Sequence, residues 1–178
     1  MPAAATATAA LVEGFGRTPG LVDAALDALS EADLTRRVDP DANTIGWLVW
    51  HTARMQDGQI TSVERALGRG DAEQVWVSQG FADRFKLGVG DREVGYGMSS
   101  DQVAGIVAPA DLLREYHQAV NDRTIAFLDS LDDSDYGRVV DRRWNPPVTL
   151  LVRLVSIEQD SVQHLGQAAF VRGVLQRT

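Results

Sequence analysis

His51, Asp160 and His164 are the residues whose types and spacing could do chemistry in this chain. Asp160 and His164 lie four apart in "IEQDSVQHLGQ" (157–167), so on a helix they share one face, one side chain above the other. His51 lies in "WLVWHTARMQD", bracketed by Trp47 and Trp50. If both faces look inward, the imidazoles and the carboxylate must bond one another or hold an ion, because burying them unpartnered is costly. Two readings stand: a solvated or mutually hydrogen-bonded couple, or the ligands of a divalent metal. Imidazoles and carboxylates on facing helices are how bundle proteins build metal sites. Three protein ligands with a fourth position open describe a catalytic rather than a structural zinc site. Two histidines and a carboxylate also suit nickel and iron.

Four helical segments must position these groups. The first runs from about Thr6 to Leu29, with a kink or break expected at Pro19-Gly20. Ser30, followed by acidic residues, starts a short helix or turn. The second opens at an Asn43 or Thr44 cap, buries Ile45, Leu48, Val49, Thr52, Met55 and Ile60, and stops at "LGRG" (67–70). The third begins at Pro109, with Leu112, Tyr116, Ala119, Thr124, Phe127 and Leu131 as its apolar stripe. The fourth runs from Thr149 to about Leu175 with Leu150, Leu154, Ile157, Ser161, His164, Ala168 and Val171 inward, so the polar pair is expected mid-core. Between the second and third, the glycine-rich stretch 71–109 loses periodicity apart from a short helix at Ser100, and "RVVDRRWNPPVT" is extended before its prolines. The expectation is one all-α domain over 1–178, an antiparallel four-helix bundle with a long crossover between helices 2 and 3.

Composition narrows the function. With 25 acidic against 17 basic residues, a net charge of −8 and a single lysine, the chain lacks the clustered cations of a nucleic-acid surface. It has no cysteine, so any metal must rely on nitrogen and oxygen ligands. No apolar run is long enough to span a membrane. "MPAAATATAALVEGF" has no basic start and does not read as a signal peptide, which makes a cytoplasmic location the expectation.

The remaining candidates read more plainly. His117 is expected at a partly exposed surface and outside the cluster. Gln167 either orients a ligand or makes a packing hydrogen bond. Gly166 is expected to let helices approach, Glu158 to face solvent, and Arg172 to complement the last-turn dipole. Trp47, Trp50, Trp76 and Trp144 read as core or lid.

"NTIGWLVWHTARMQD" and "DSVQHLGQAAFVRG" together resemble the two signature helices of the DinB-like superfamily, and "GYGMSSDQV" and "LREYHQAV" extend the likeness over nearly the whole chain. The resemblance implies a divalent metal held by an imidazole on the second helix and an H-x-x-x-H pair on the last. His51 matches the first ligand, and His164, before Leu165-Gly166-Gln167, matches the last. Asp160 stands where the family has histidine, which brings a negative charge to the site and favours harder ions. The ligand set so implied is His51, Asp160 and His164, with zinc or nickel foremost and iron as a further candidate. The resemblance also implies a low-molecular-weight thiol such as mycothiol or bacillithiol as cosubstrate of an isomerase or S-transferase. A metal-bound thiol is deprotonated at neutral pH, and a chain without cysteine needs its sulfur from outside. The expected partners are a small-molecule substrate and such a thiol, with a homodimer as the expected assembly. The alternatives are a metal-dependent hydrolase and a non-catalytic metal- or small-molecule-binding bundle of the stress-response type.

Overall fold

The computed structural model describes residues 6–177; the first five residues of the N-terminal stretch weighed above as a signal peptide lie outside them. Helix α1 (Ala7–Gly16) is capped by Thr6, whose side chain accepts from the amide of Ala9. It breaks at Arg17, before α2 (Thr18–Leu26), where Pro19 occupies the first turn. The break precedes the proline because a proline at position 19 cannot donate to the Phe15 carbonyl. The Thr18 hydroxyl donates to that carbonyl instead, at 2.9 Å. Short α3 (Glu31–Leu34) carries the expected Ser30 cap as a full capping box with Asp33.

Helix α4 (Ile45–Ala66) is capped by Thr44 and ends at Leu67, followed by Gly68 at φ +74°. The crossover holds α5 (Val75–Ser78), α6 (Phe81–Phe85) and α7 (Ser100–Ala104), the last behind a Ser99/Gln102 capping box. Of these, the sequence showed only α7. Helix α8 (Ala110–Asp129) follows Pro109. Strands β1 (Val139–Asp141) and β2 (Val148–Thr149) pair antiparallel across the proline turn and lead into α9 (Leu150–Leu175).

The result is the expected all-α bundle. Helix α4 packs on α9 and α8, and α1 and α2 close the other side against α8 and α9. The crossover returns the chain to its starting end, so α4 and α8 run in the same sense and the other long elements run against them. Arg54 and Asp57 accordingly meet Tyr116, while Thr61 and Glu64 meet Arg123 further along both helices.

Two apolar clusters fill the interior. One gathers Trp47, Trp50, Trp76, Phe81, Phe85, Tyr116 and Leu165 near the crossover. The other gathers Phe15, Ile60, Val63, Phe127, Leu128 and Leu154 at the opposite end. Between them, at mid-height, lies a belt of buried polar groups including Arg54, Gln56, Asp57, Asn121, Thr124 and Ser161. The α8 stripe is turned from the expected one. Tyr116, Thr124 and Phe127 are buried as expected, but Leu113, His117, Val120 and Leu128 join them while Leu112, Ala119 and Leu131 are half-buried, because α2 as well as α4 packs on this helix.

Candidate metal centre

Helix α4 delivers His51 and α9 delivers Asp160 and His164 to a common point. One ligand atom from each lies within 4.8 Å of the others, the only such grouping of metal-ligating side chains among the described residues. The two imidazole rings meet edge-on, centroids 4.9 Å apart and planes 79° apart. Trp47, one turn before His51, stacks flat on it at 4.5 Å and presents its edge to His164.

His51 is buried, and its Nδ1 contacts the backbone carbonyl of Val94 in the crossover. A carbonyl only accepts, so Nδ1 carries the proton and Nε2 keeps its lone pair. Burial lowers the pKa of this histidine, with the Val94 bond partly opposing it, so the ring is held neutral. In His164, Nδ1 lies 3.1 Å from Gln167 Oε1 and Nε2 lies 3.5 Å from Asp160 Oδ1. The Asp160 interaction raises the His164 pKa, because without an ion the imidazolium is the natural partner of that carboxylate. With Nδ1 of each ring against an oxygen acceptor, Nε2 is the nitrogen left to ligate an ion, and His164 turns it toward Asp160, as metal-ligating histidines do. The donor set and its orientation fit a divalent ion.

The pair on α9 does not sit mid-core as its helical position suggested. The His164 and Asp160 side chains are 21% and 33% exposed, so the cluster opens to solvent at the α4–α9 seam. Leu165 takes the inward position instead. Gln167 meets His164 as a ligand-orienting group would. Gly166 is exposed with open space around it and brings no helix close. Glu158 is half-buried over Gly14 of α1 rather than pointing to solvent. Arg172 reaches across to the Asp27 carbonyl at 2.9 Å.

His117 stays outside the cluster, as expected, but it is buried rather than surface-exposed. It is 1% exposed, its Nε2 has no hydrogen-bond partner, and desolvation lowers its pKa to about 4. The α2–α8 contact that covers it is not legible in the sequence, because the expected kink or break at Pro19-Gly20 does not say which helix α2 packs on. Trp76, Phe81 and Phe85 are core residues around the Tyr116 ring. The crossover part that touches the site is the segment 94–98, where Met98 Sδ receives the Trp47 indole N–H at 3.4 Å.

Sequence reading passed over Arg54 and Asp57, although both stand in the quoted "WLVWHTARMQD". An i, i+3 charged pair inside an otherwise apolar helix was the available signal. Asp57 accepts from the amides of Val75 and Trp76, both at 2.9 Å, and from the Tyr116 hydroxyl at 2.9 Å, and so ties the crossover to the bundle.

A cleft of about 1000 Å³ lies between α4, the crossover and Arg153 of α9, lined among others by Met55, Gly58, Val94, Tyr96 and Trp144. The three cluster residues do not line it, and Val94, whose carbonyl meets His51, is the wall residue that borders the cluster. Met55 lies one turn beyond His51, and Arg153 lies two turns before Asp160 on the same face of α9.

A helical bundle with a His/Asp/His cluster at the seam of two facing helices defines a class, that of helical-bundle proteins able to hold a metal. The chain belongs to the DinB superfamily, whose profile matches residues 15–168. It is also similar to the crystal structure of a conserved protein from Enterococcus faecalis, at 30% identity and a TM-score of 0.88, over 98% of this chain and 100% of that one. No curated protein matches it.

Proposed function

We propose that this protein is a divalent-metal-dependent enzyme acting on small molecules, and that its reaction transfers or rearranges a group with the help of a low-molecular-weight thiol. The observation that carries the reading is the half-open cluster. Donors converge from two helices while solvent reaches the α9 side chains and a large cleft borders Val94, the crossover residue on His51, as a catalytic site requires and a closed structural site does not. His51, Asp160 and His164 would hold the ion, zinc or nickel foremost, with iron as the further candidate. When bound, such an ion supplies a deprotonated thiol at neutral pH.

The chain's own residues do the rest. Asp160 offsets one of the two charges of a divalent ion, and Gln167 fixes the rotation of the His164 ring. Trp47 shields one face of His51 from water. The cleft wall formed by Met55, Val94 and Tyr96 offers an apolar seat within reach of the cluster. A metal-loaded preparation made without a histidine tag, incubated with mycothiol, bacillithiol or glutathione and a panel of small electrophiles, tests the reading. Turnover that needs both thiol and metal, and is lost in His51→Ala, is the expected result. Metal binding without any such conversion would leave a binding protein in its place. Among the described residues no helix is long and apolar enough to cross a membrane.

A further inference from the structure

Arg54 lies three residues past His51 on α4 and is fully buried. A guanidinium in such a place must have its donors filled. Its Nε donates to the Glu93 carbonyl at 3.0 Å and one terminal nitrogen donates to the Asp91 carbonyl at 2.6 Å. The other terminal nitrogen reaches Gln74 Oε1 at 2.8 Å and the Tyr116 hydroxyl at 3.1 Å. The plane also lies 4.5 Å from the centroid of the Trp76 ring. The Asp57 carboxylate, at 3.6 Å, is farther than all four hydrogen-bond partners. Charge pairing therefore does not explain the residue. Two of its bonds grip main-chain carbonyls immediately before Val94.

Val94 is the residue whose carbonyl receives the His51 Nδ1–H. On its other side the Gly95 amide is held by Glu93 Oε1 at 2.7 Å. Gly95 has φ +91°, and a Cβ there would stand 2.9 Å from His51 Nδ1, 3.1 Å from Trp50 and 3.2 Å from Trp47. Only glycine permits both that backbone and that approach. The segment 91–95 is thus pinned by Arg54 on one side of Val94 and seated by a bare backbone on the other.

We propose that Arg54 is a positioning residue for the metal centre. Through the carbonyls of Asp91 and Glu93 it fixes the Val94 carbonyl, which holds His51 as the Nδ1–H tautomer with the Nε2 lone pair aimed at Asp160 and His164. The planar fork is essential, because a lysine would keep the charge but could not span two carbonyls while donating to Gln74 and Tyr116. The proposal rests on the metal-site reading for its affinity consequence, but the tautomer it assigns belongs to the metal-free protein.

The test uses the full chain as wild type, Arg54→Lys, Gly95→Ala and, as a destabilised control remote from the segment, Leu128→Ala. Zinc affinity is measured by calorimetry, and the His51 tautomer in metal-free protein by nitrogen-15 imidazole NMR. The expected result is an Nδ1–H His51 in wild type and control. Arg54→Lys and Gly95→Ala should instead show a mixed or Nε2–H ring and bind zinc 10- to 100-fold more weakly, the usual cost of losing a ligand's outer partner. Gly95→Ala crowds His51 directly and reports only on the seat beside Val94; if Arg54→Lys does not fold, Arg54→Gln, which loses the fork but keeps a donor toward the segment, carries the test. Wild-type tautomer and wild-type zinc affinity in the folded variants would overturn the proposal. If wild type binds no zinc, nickel or iron, the metal reading fails, and the NMR comparison still decides whether Arg54 sets the tautomer.

Discussion

Two polar clusters share α4, and they treat hydrogen-bonding capacity in opposite ways. Around Arg54 and Asp57 the donors and acceptors meet: Asp57 receives two amides, the Tyr116 hydroxyl and Arg123, and Arg54 reaches four oxygens. A turn away, His51 and His164 each occupy Nδ1 and leave Nε2 facing a carboxylate in a half-open seam. The first arrangement has little capacity left for a ligand and works as structure. The second keeps lone pairs pointed at one place, which is how a site differs from a well-paired core.

The largest expected effect lies in the closed cluster. Asp57→Ala strands two buried amides and the Tyr116 hydroxyl and removes the carboxylate that Arg123 pairs with, and should cost about 3–5 kcal/mol, the usual penalty for breaking a buried charged network. His164→Ala, at the half-exposed seam, should cost about 1 kcal/mol or less while removing metal binding. Urea denaturation of both, with zinc titration of the second, checks the contrast. Equal destabilisation by the two would erase it.

His117 extends the comparison to a buried group that is neither paired nor poised. It stays neutral in the fold down to about pH 4, whereas an unfolded histidine takes its proton near 6.5. Below pH 6.5 the unfolded chain therefore binds more protons, and stability falls with pH until about 4, where both states are charged. The loss is roughly 3 kcal/mol across that window. His117→Leu should remove this part of the slope, measured by denaturation at pH 7, 5.5 and 4.5.

A smaller effect sharpens the site itself. Asp160→His should tighten zinc and nickel binding by about tenfold, equivalent to about 1.4 kcal/mol, because it completes a three-imidazole set. Unchanged affinity would mean that Asp160 serves His164 and not the ion. Smallest is Gln167→Ala, which should weaken zinc by a few-fold, since an exposed amide orients His164 less firmly than Val94 orients buried His51.

Much of this was legible in the chain. Period and caps placed α4 and α9 to within a residue or two, since Thr44, Gly68 and the apolar stripes act locally on the backbone. The i, i+4 spacing put Asp160 beside His164, and Gly-Gln after His164 carried the family likeness. Less legible were the burial of His117 and whether Trp76 is core or lid, because each depends on which distant element lands on it.

By itself, the sequence determined the four long helical segments, the shared face of Asp160 and His164, and the absence of sulfur ligands, all consequences of local backbone preference and residue type. Only the tertiary structure decided that His51 faces that pair and that the cluster lies open at a seam. It also decided that Gly95 and Arg54 bring the Val94 carbonyl onto the His51 ring. These are contacts between groups about 40 to 110 residues apart. Helix periodicity fixes which side of its own axis a residue occupies, whereas its partner there is set by the packing of the whole bundle.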